Sequence, residues 1–372
     1  MPERLRRTLI DYRPALHNRE GTGRVARELV RALGACEDAP ELVLFGGALR
    51  APRVAREELG LPEGARLVAP RLPARLAPFV FSALGGIDAR FGAGLVHHTQ
   101  LRELPTRRAR TTATVFDLLF LGGGAGRLDP AAARGMEQRL RRLVARTDRV
   151  HVPTSYTANE LATRVGLDRS RIDVVTLGGE HVLRTEPRVE KVPVEPYLLT
   201  VSRLDPRKGH RLALRAFERL VERGFDGRWL VVGPPGYRAE ELWSEIAASP
   251  CAARIEWRRS VDEGELRALY EGALVFVFPS LAEGFGLPPV EAMWCGTPVV
   301  SSRATCLAEV LGDGADTFDP RDEAELLAVL ERAISDAAHR THLAARGRAW
   351  AERHSWRACA EATLASWRVT CA

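Results

Sequence analysis

Residues 278–300 read Phe-Pro-Ser-Leu-Ala-Glu-Gly-Phe-Gly-Leu-Pro-Pro-Val-Glu-Ala-Met-Trp-Cys-Gly-Thr-Pro-Val-Val. An apolar run from Leu274 to Phe278 stops at Pro279, and a loop of small residues follows. Pro288 and Pro289 stand where a helix begins, since proline suits the first helical turn. A second apolar strand, Pro298 to Ser301, closes the segment. Strand, loop, helix and strand in this order form a βαβ unit, and a parallel sheet is the architecture that such units build.

The same alternation extends in both directions. Downstream of Glu186–Pro196, a linker rich in proline and charge, strands are expected at Tyr197–Ser202, Trp229–Val232, Arg254–Trp257, Leu274–Phe278 and Pro298–Ser301. Helices are expected between them at His210–Arg223, Glu240–Ala248, Asp262–Glu271 and Pro288–Trp294. Upstream, strands read at Thr8–Tyr12, Glu41–Phe45, Leu95–His98, Thr111–Phe116, Arg149–Pro153 and Ile172–Val175. The helices there read at Gly23–Ala35, Pro130–Arg146 and Ser155–Val165. The tail, Asp322–Trp367, is helical with a break at His354-Ser355-Trp356.

The expected fold is therefore α/β, with two Rossmann-like, doubly wound parallel-sheet domains at 1–185 and 186–355. A C-terminal helix, 356–372, is expected to pack back on the first domain. Open α/β sheets bind ligands at the carboxyl ends of their strands, so the ligand is expected in a cleft shared by the two domains.

Composition limits the function. The chain has 372 residues, 45% hydrophobic and 27% charged, enough for full cores. No apolar run approaches the roughly 20 residues of a spanning helix. The basic start lacks an apolar leader segment, and the six cysteines form no C-x-x-C pair, so a cytoplasmic chain with reduced thiols is expected. Of the 54 basic residues only Lys191 and Lys208 are lysine. That excess of arginine, with abundant Ala and Gly, reads as coding bias rather than as a nucleic-acid footprint. Charge is uneven: residues 1–185 hold 30 basic and 20 acidic residues, the remainder 24 and 28. The basic half is the one expected to meet something anionic.

Two segments carry chemistry. Gly284 and Gly286 allow backbone amides to approach a ligand, and the start of the helix presents unpaired N–H groups and partial positive charge to a phosphate. Glu283 and Glu291 flank that start. Carboxylates accept hydrogen bonds in pairs, which suits vicinal hydroxyls. The bland alternative is a solvated Glu283 and a Glu291 that only complements the helix dipole. The second segment, Thr200-Val-Ser-Arg-Leu-Asp-Pro-Arg-Lys-Gly-His210, places Arg203 and Lys208 around a tight turn at a strand end, where two cations suit a diphosphate. Lysine is so rare in this chain that a compact ammonium at 208 reads as selected.

These residues resemble glycosyltransferase family 4, retaining enzymes of the GT-B fold that move a sugar from a nucleotide diphosphate donor, and the resemblance spans essentially the whole chain. It implies that Arg203 and Lys208 hold the diphosphate, that Glu283 meets the donor sugar and Glu291 the ribose, and that the amides of Phe285, Gly286 and Leu287 lie along sugar and phosphates. Gly233 and the Arg259-Ser-Val261 segment would line the nucleoside pocket. Gly21-Thr-Gly-Arg-Val-Ala26 resembles the glycine loop that approaches the donor phosphate from the other domain, through Gly23. The same loop also matches a G-x-G-x-x-A dinucleotide fingerprint, but about ten residues separate it from the first strand, where that fingerprint follows its strand immediately. Gly122–Gly126 reads as a flexible loop near the cleft. No D-x-D triplet occurs, which fits a metal-independent transfer with Arg203, Lys208 and a helix N-terminus neutralising the leaving group.

One departure stands out. After the strand Thr111–Val115 the family commonly carries His-Asp; here the pair is Phe116-Asp117, leaving Asp117 as a candidate catalytic group and Phe116 unable to hydrogen-bond. His17, His97 and His98 are candidates to approach the cleft instead, against a structural role for each. The resemblance points to hexose transfer to a glycan, glycoconjugate or lipid-linked acceptor, with GDP-mannose as first expectation and UDP-hexoses next. No cofactor beyond the donor, no metal and no nucleic acid is expected. Arginines 134, 139, 141, 142 and 146 on one helix would either touch an anionic membrane or form a solvated face. The competing class is a non-catalytic sugar-nucleotide binding protein of the same fold.

Overall fold

The computed structural model describes residues 2–19, 21–47, 54–70, 77–83, 85–121 and 130–372. The chain divides into two compact units. One runs through Met1–Leu121, Asp129–Leu177 and Trp356–Ala372, and the other through Gly178–Ser355.

The first unit contains β1 (Arg7–Asp11), α1 (Arg13–His17), α2 (Thr22–Gly34), β2 (Glu41–Phe45), β3 (Arg66–Val68), α3 (Ala77–Ala83), α4 (Ile87–Phe91), β4 (Leu95–His98), β5 (Arg110–Thr114), α5 (Pro130–Arg146), β6 (Arg149–Val152), α6 (Ser155–Glu160) and β7 (Ile172–Val174). Its strands lie in the order β3-β2-β1-β4-β5-β6-β7 and all pair in parallel.

The second unit contains β8 (Tyr197–Val201), α7 (His210–Glu222), β9 (Arg228–Val232), α8 (Ala239–Ala247), β10 (Ile255–Arg258), α9 (Glu263–Gly272), β11 (Val275–Phe278), α10 (Leu287–Trp294), β12 (Val299–Ser302), α11 (Leu307–Leu311), β13 (Asp316–Phe318), α12 (Glu323–Ser335) and α13 (Ala337–Ala351). Its sheet is also parallel, in the order β10-β9-β8-β11-β12-β13. The last helix, α14 (Trp356–Cys371), groups with the first unit.

Both sheets reverse their strand order once, between β1 and β4 and between β8 and β11. Helices on both faces of a parallel sheet explain why the strands read as unbroken apolar runs rather than alternating ones. Leu198, Leu199, Val275, Phe276, Val277 and Phe278 are all 2% exposed or less. The chain passes from one unit to the other at Leu177/Gly178, ahead of the expected 185/186 boundary. The reason is local: a side chain at Gly179 would stand 2.7 Å from Val290 and 2.8 Å from Trp294, both of α10.

Some details differ from expectation. The short edge strands β3 and β13 were not foreseen, because three residues give too little periodicity to read. Thr154 caps α6 through its hydroxyl, and the helix expected over Ser155–Val165 is α-helical only to Glu160, continuing as a π turn over Leu161–Val165. Gly122–Gly126 lies outside the described residues.

Candidate functional site

The two chemistry-bearing segments leave neighbouring strands, β8 and β11, at the point where strand order reverses. In open parallel sheets a crevice forms there, at the carboxyl ends. Thr200 on β8 fixes the strands beside it: its hydroxyl donates to Val277 O (3.0 Å) and accepts from Trp229 Nε1 (3.0 Å).

The loop after β8 is closed by Asp205, whose carboxylate accepts from the Arg207 amide (2.9 Å) at the head of a short 3-10 turn, Pro206–Lys208. Gly209 follows at φ 73°, a conformation that favours glycine, and a Cβ there would stand 1.8 Å from Pro279 O. That close approach lets the two loops join. The Leu281 amide donates to Arg207 O (2.8 Å), and the Arg207 guanidinium donates to Ala282 O (2.8 Å).

Joining the loops buries Glu283, which is 8% exposed. Its carboxylate accepts from Lys208 Nζ (2.5 Å) and Ser280 Oγ (2.6 Å), with an Arg207 nitrogen at 3.9 Å. Burial by itself would raise the carboxyl pKa. Lys208 and Arg207, with the hydrogen bonds from Lys208 and Ser280, outweigh that and hold it below its ordinary value. The solvated-loop alternative for Glu283 is therefore excluded. Lys208 also stands 5.7 Å from the centroid of the Phe278 ring. An ammonium has three N–H donors and Glu283 takes one, so the ion pair presents a charged donor to an incoming anion without abandoning its carboxylate.

The backbone of Glu283 is held as firmly as its side chain. Its amide donates to Thr305 Oγ1 (2.9 Å), while its carbonyl accepts from the same hydroxyl (3.0 Å) and from Cys306 Sγ (3.2 Å). Thr305 has φ 51°, a left-handed conformation that costs a β-branched residue about 1–3 kcal/mol.

Glu291, on α10, is 6% exposed. Tyr270 OH donates to its Oε2 (2.8 Å) and His181 Nε2 lies 3.0 Å from its Oε1. Each of the two glutamates thus has partners within the protein. Gly286, at φ 92°, caps α10, and Leu287 and the two prolines form its first turn. The Phe285 ring packs edge-on against His354 at 5.6 Å, so the Gly284–Leu287 segment offers a ligand its backbone rather than this aromatic side chain. Arg203, exposed at the end of β8, has no ion pair among the described residues. At Gly233 a Cβ would stand 2.2 Å from Ser202 O, so glycine lets the loop after β9 lie against the β8 end. Val261 is half-buried, and Arg259 stacks 4.6 Å over Trp257 and reaches Glu240 at 3.3 Å.

The equivalent point in the first unit is built differently. Asp11, at the end of β1, takes a bidentate pair of bonds from Arg13 (2.7 Å each) and one from Gln100 (3.0 Å). Gly23 lies in the first turn of α2, where a Cβ would stand 1.9 Å from Asn18 O. Arg27 secures the preceding loop by donating to Ala15 O (2.9 Å), Asn18 O (2.8 Å) and Arg19 O. Asp117 accepts from the Leu119 amide (3.0 Å). A cavity of about 350 Å³ opens here, lined by Thr22, Gln100, Phe116, Asp117, Met136 and Arg139 among others.

The histidines expected as alternatives near the cleft are corrected in part. His97 is fully buried between Thr112 (2.9 Å) and Thr114 (3.2 Å), and His98 is buried with its Nδ1 facing the Leu104 amide at 3.4 Å. Both sit on a sheet covered on each face and serve packing. The arginine face of α5 is also partly spoken for. Arg141 pairs with Glu137 (2.9 Å) and Arg146 with Glu103 (3.0 Å), whereas Arg134, Arg139 and Arg142 are exposed with no ion pair among the described residues.

Sequence reasoning missed Ser280, Arg207, Tyr270, His181 and Thr305. Arg207 and Ser280 flank the recognised motifs and were within reach. His181, Tyr270 and Thr305 are distant in sequence from the glutamates they hold and carried no signal. Among the described residues there is no cluster of His, Cys, Asp and Glu able to hold a metal ion, and no helix long and apolar enough to cross a membrane.

Comparison with known proteins identifies the family and the fold. Residues 184–350 match the family described as Glycosyl transferases group 1, and residues 19–179 match Glycosyltransferase Family 4. The chain is 28% identical over 370 residues to the O-antigen chain mannosyltransferase B of Escherichia coli, covering 94% of this chain and 96% of that one. Among solved structures it is similar to sucrose-phosphate synthase from Thermosynechococcus elongatus, with TM-score 0.77, 20% identity and 98% of each chain covered. It is also similar to Anabaena HepE in complex with UDP and glucose, with TM-score 0.73, 16% identity and coverage of 98% and 99%. Two parallel-sheet units and matches to two glycosyltransferase family models, one over each part of the chain, lead to a single assignment: the chain belongs to the group 1 glycosyltransferases of GT-B fold.

Proposed function

We propose that the protein transfers a hexose, mannose first, from a nucleotide diphosphate donor to a hydroxyl of a glycan or lipid-linked acceptor in polysaccharide assembly. The transfer retains anomeric configuration and uses no metal. The observation that carries the reading is the buried Lys208–Glu283 pair beside the glycine-flanked start of α10. Mannose is favoured by the similarity to the Escherichia coli O-antigen mannosyltransferase, and a nucleotide donor by the similarity to the HepE structure that contains UDP.

Arg203 and Lys208 take the diphosphate, with the amides at the start of α10. Glu283 accepts hydrogen bonds from donor sugar hydroxyls, and Glu291, held by Tyr270 and His181, receives the ribose. Gly233 and Val261 border the nucleoside. The bond from the anomeric carbon to the diphosphate oxygen breaks with its electron pair leaving on the diphosphate. Fixed cations and amides stabilise that charge as it develops, and such preorganised groups are the largest single contribution in many enzymes. The acceptor oxygen bonds to the same face of the anomeric carbon, and its proton passes to the departing phosphate oxygen.

The first unit holds the acceptor, in the cavity beside Phe116 and Asp117. The apolar face of a sugar stacks on Phe116, and Arg139 and its neighbours on α5 meet an anionic group of the acceptor or of the surface that carries it. The non-catalytic alternative predicts nucleotide binding without turnover. A panel of GDP- and UDP-sugars, assayed for transfer and hydrolysis with and without chelator, decides. A nucleotide that raises the melting temperature while no sugar is transferred or hydrolysed overturns the enzymatic reading. The anomeric configuration of the product, read by NMR, tests retention.

A further inference from the structure

Two non-glycine residues among the described ones adopt positive φ: Arg238, on the surface, and Thr305, against the backbone of Glu283. A threonine in the left-handed region is disfavoured by its branched Cβ, and it persists where surrounding contacts over-determine it. At Thr305 those contacts are two bonds to one residue: the hydroxyl accepts from the Glu283 amide (2.9 Å) and donates to the Glu283 carbonyl (3.0 Å). Thr305 is three residues past the end of β12, and Glu283 lies in the loop after β11, so these bonds tie together the loops of two adjacent strands.

We propose that Thr305 is a positioning residue for Glu283, its strained backbone conformation being what presents one hydroxyl to both the amide and the carbonyl of that residue. Reference to sugar transfer rests on the function proposed above. The effect follows from geometry. Lys208 and Ser280 fix the carboxylate end of Glu283, and Thr305 fixes the backbone end, so the side chain has no freedom to swing away from Lys208. The two backbone groups are not equally dependent. The carbonyl keeps a second donor in Cys306 Sγ, whereas the amide has no acceptor other than Thr305 Oγ1 among the described residues.

Hydrogen exchange at the Glu283 amide therefore reads the contact directly. Thr305→Gly relieves the strain and removes the hydroxyl, so it folds and leaves the amide unprotected. Its exchange is expected to speed up on the order of tenfold, the loss of one hydrogen bond. Thr305→Ser keeps the hydroxyl and restores protection. In turnover, Thr305→Gly lowers kcat on the order of tenfold to a hundredfold, as misplacement of a reacting group does, with donor KM little changed, and Thr305→Ser recovers it. Wild-type exchange at Glu283 in Thr305→Gly overturns the proposal, as does wild-type kcat in that variant. Absence of transfer by the unmodified protein with every donor sinks the functional reading instead, and the exchange comparison still decides the role of Thr305.

Discussion

The two units share one sheet topology yet treat its reversal point in opposite ways. In the first, Asp11 and Arg13 form a bidentate pair that Gln100 completes, and beside it opens a cavity that Val115, Phe116, Phe120 and Met136 help to line. In the second, Lys208 meets Glu283 through a single bond, and the loops around the pair are tied by the Leu281 amide and the Arg207 guanidinium. A saturated ion pair holds strands together and offers a ligand little. A singly bonded ammonium keeps donors in reserve. On the function proposed above, the contrast suits a donor side that binds one invariant group, a diphosphate, and an acceptor side left free to vary.

Removing Lys208 should break this comparison most severely. Lys208→Ala leaves the buried Glu283 with the Ser280 hydroxyl and a single more distant cation, Arg207 at 3.9 Å, and breaking such a pair costs about 3–5 kcal/mol. Urea unfolding should report that loss and calorimetry the loss of nucleotide binding. Stability of Lys208→Ala near wild type would mean that the pair is not the anchor of the second unit. Asp11→Asn in the first unit should cost roughly 3 kcal/mol for the same reason, yet leave nucleotide affinity unchanged. Weakened nucleotide binding in that variant would erase the distinction between the units.

Glu283→Gln removes the charge but keeps the shape. We expect kcat to fall on the order of a hundredfold while nucleotide affinity holds or rises, because Lys208 is then released to the diphosphate. Wild-type kcat would show that Glu283 does not meet the donor sugar.

Acid should reach both units through buried histidines, and the second also through Glu283. Burial pushes the imidazoles of His98 and His151, in the first unit, and of His210, in the second, down to about 4. They are neutral when folded and take up protons when unfolded. Their contribution is therefore present above the ordinary histidine pKa of about 6.5 and is lost from there down to about 4, at about 1 kcal/mol per pH unit each. Glu283 is held below its ordinary value, so its contribution is lost at lower pH, as pH falls from the ordinary carboxylate range through its folded value. Urea midpoints across pH 8 to 4 should fall, and His151→Gln should flatten the upper part of that fall. A wild-type slope in the variant would refute this account of acid sensitivity.

The mildest change is expected at the cavity. Arg139→Ala removes an exposed cation with no ion pair among the described residues, so stability should shift by no more than about 0.5 kcal/mol. Acceptor KM should rise while donor KM stays the same. A change in donor KM alone would place Arg139 in the wrong role.

Much of this was legible beforehand because local patterns carry it. Unbroken apolar runs announced strands buried on both faces, paired prolines announced the start of α10, and the glycines after Glu283 announced the loop that leads into it. The histidines read differently in the fold. His97 and His98 are polar residues at strand ends in the sequence, and only the neighbouring strands show that threonines enclose one and that both are buried. Ser280, Tyr270, His181 and Thr305 escaped notice because an ordinary residue becomes a site residue only through what it touches.

The sequence by itself determined which segments become strands and helices, and which cations and carboxylates stand at strand ends, because periodicity, proline and glycine act within a few residues. Only the tertiary structure decided who pairs with whom. Lys208 and Glu283 are separated by 75 positions, and it is the adjacency of β8 and β11, with a glycine at 209 small enough to let their loops touch, that makes them one buried pair.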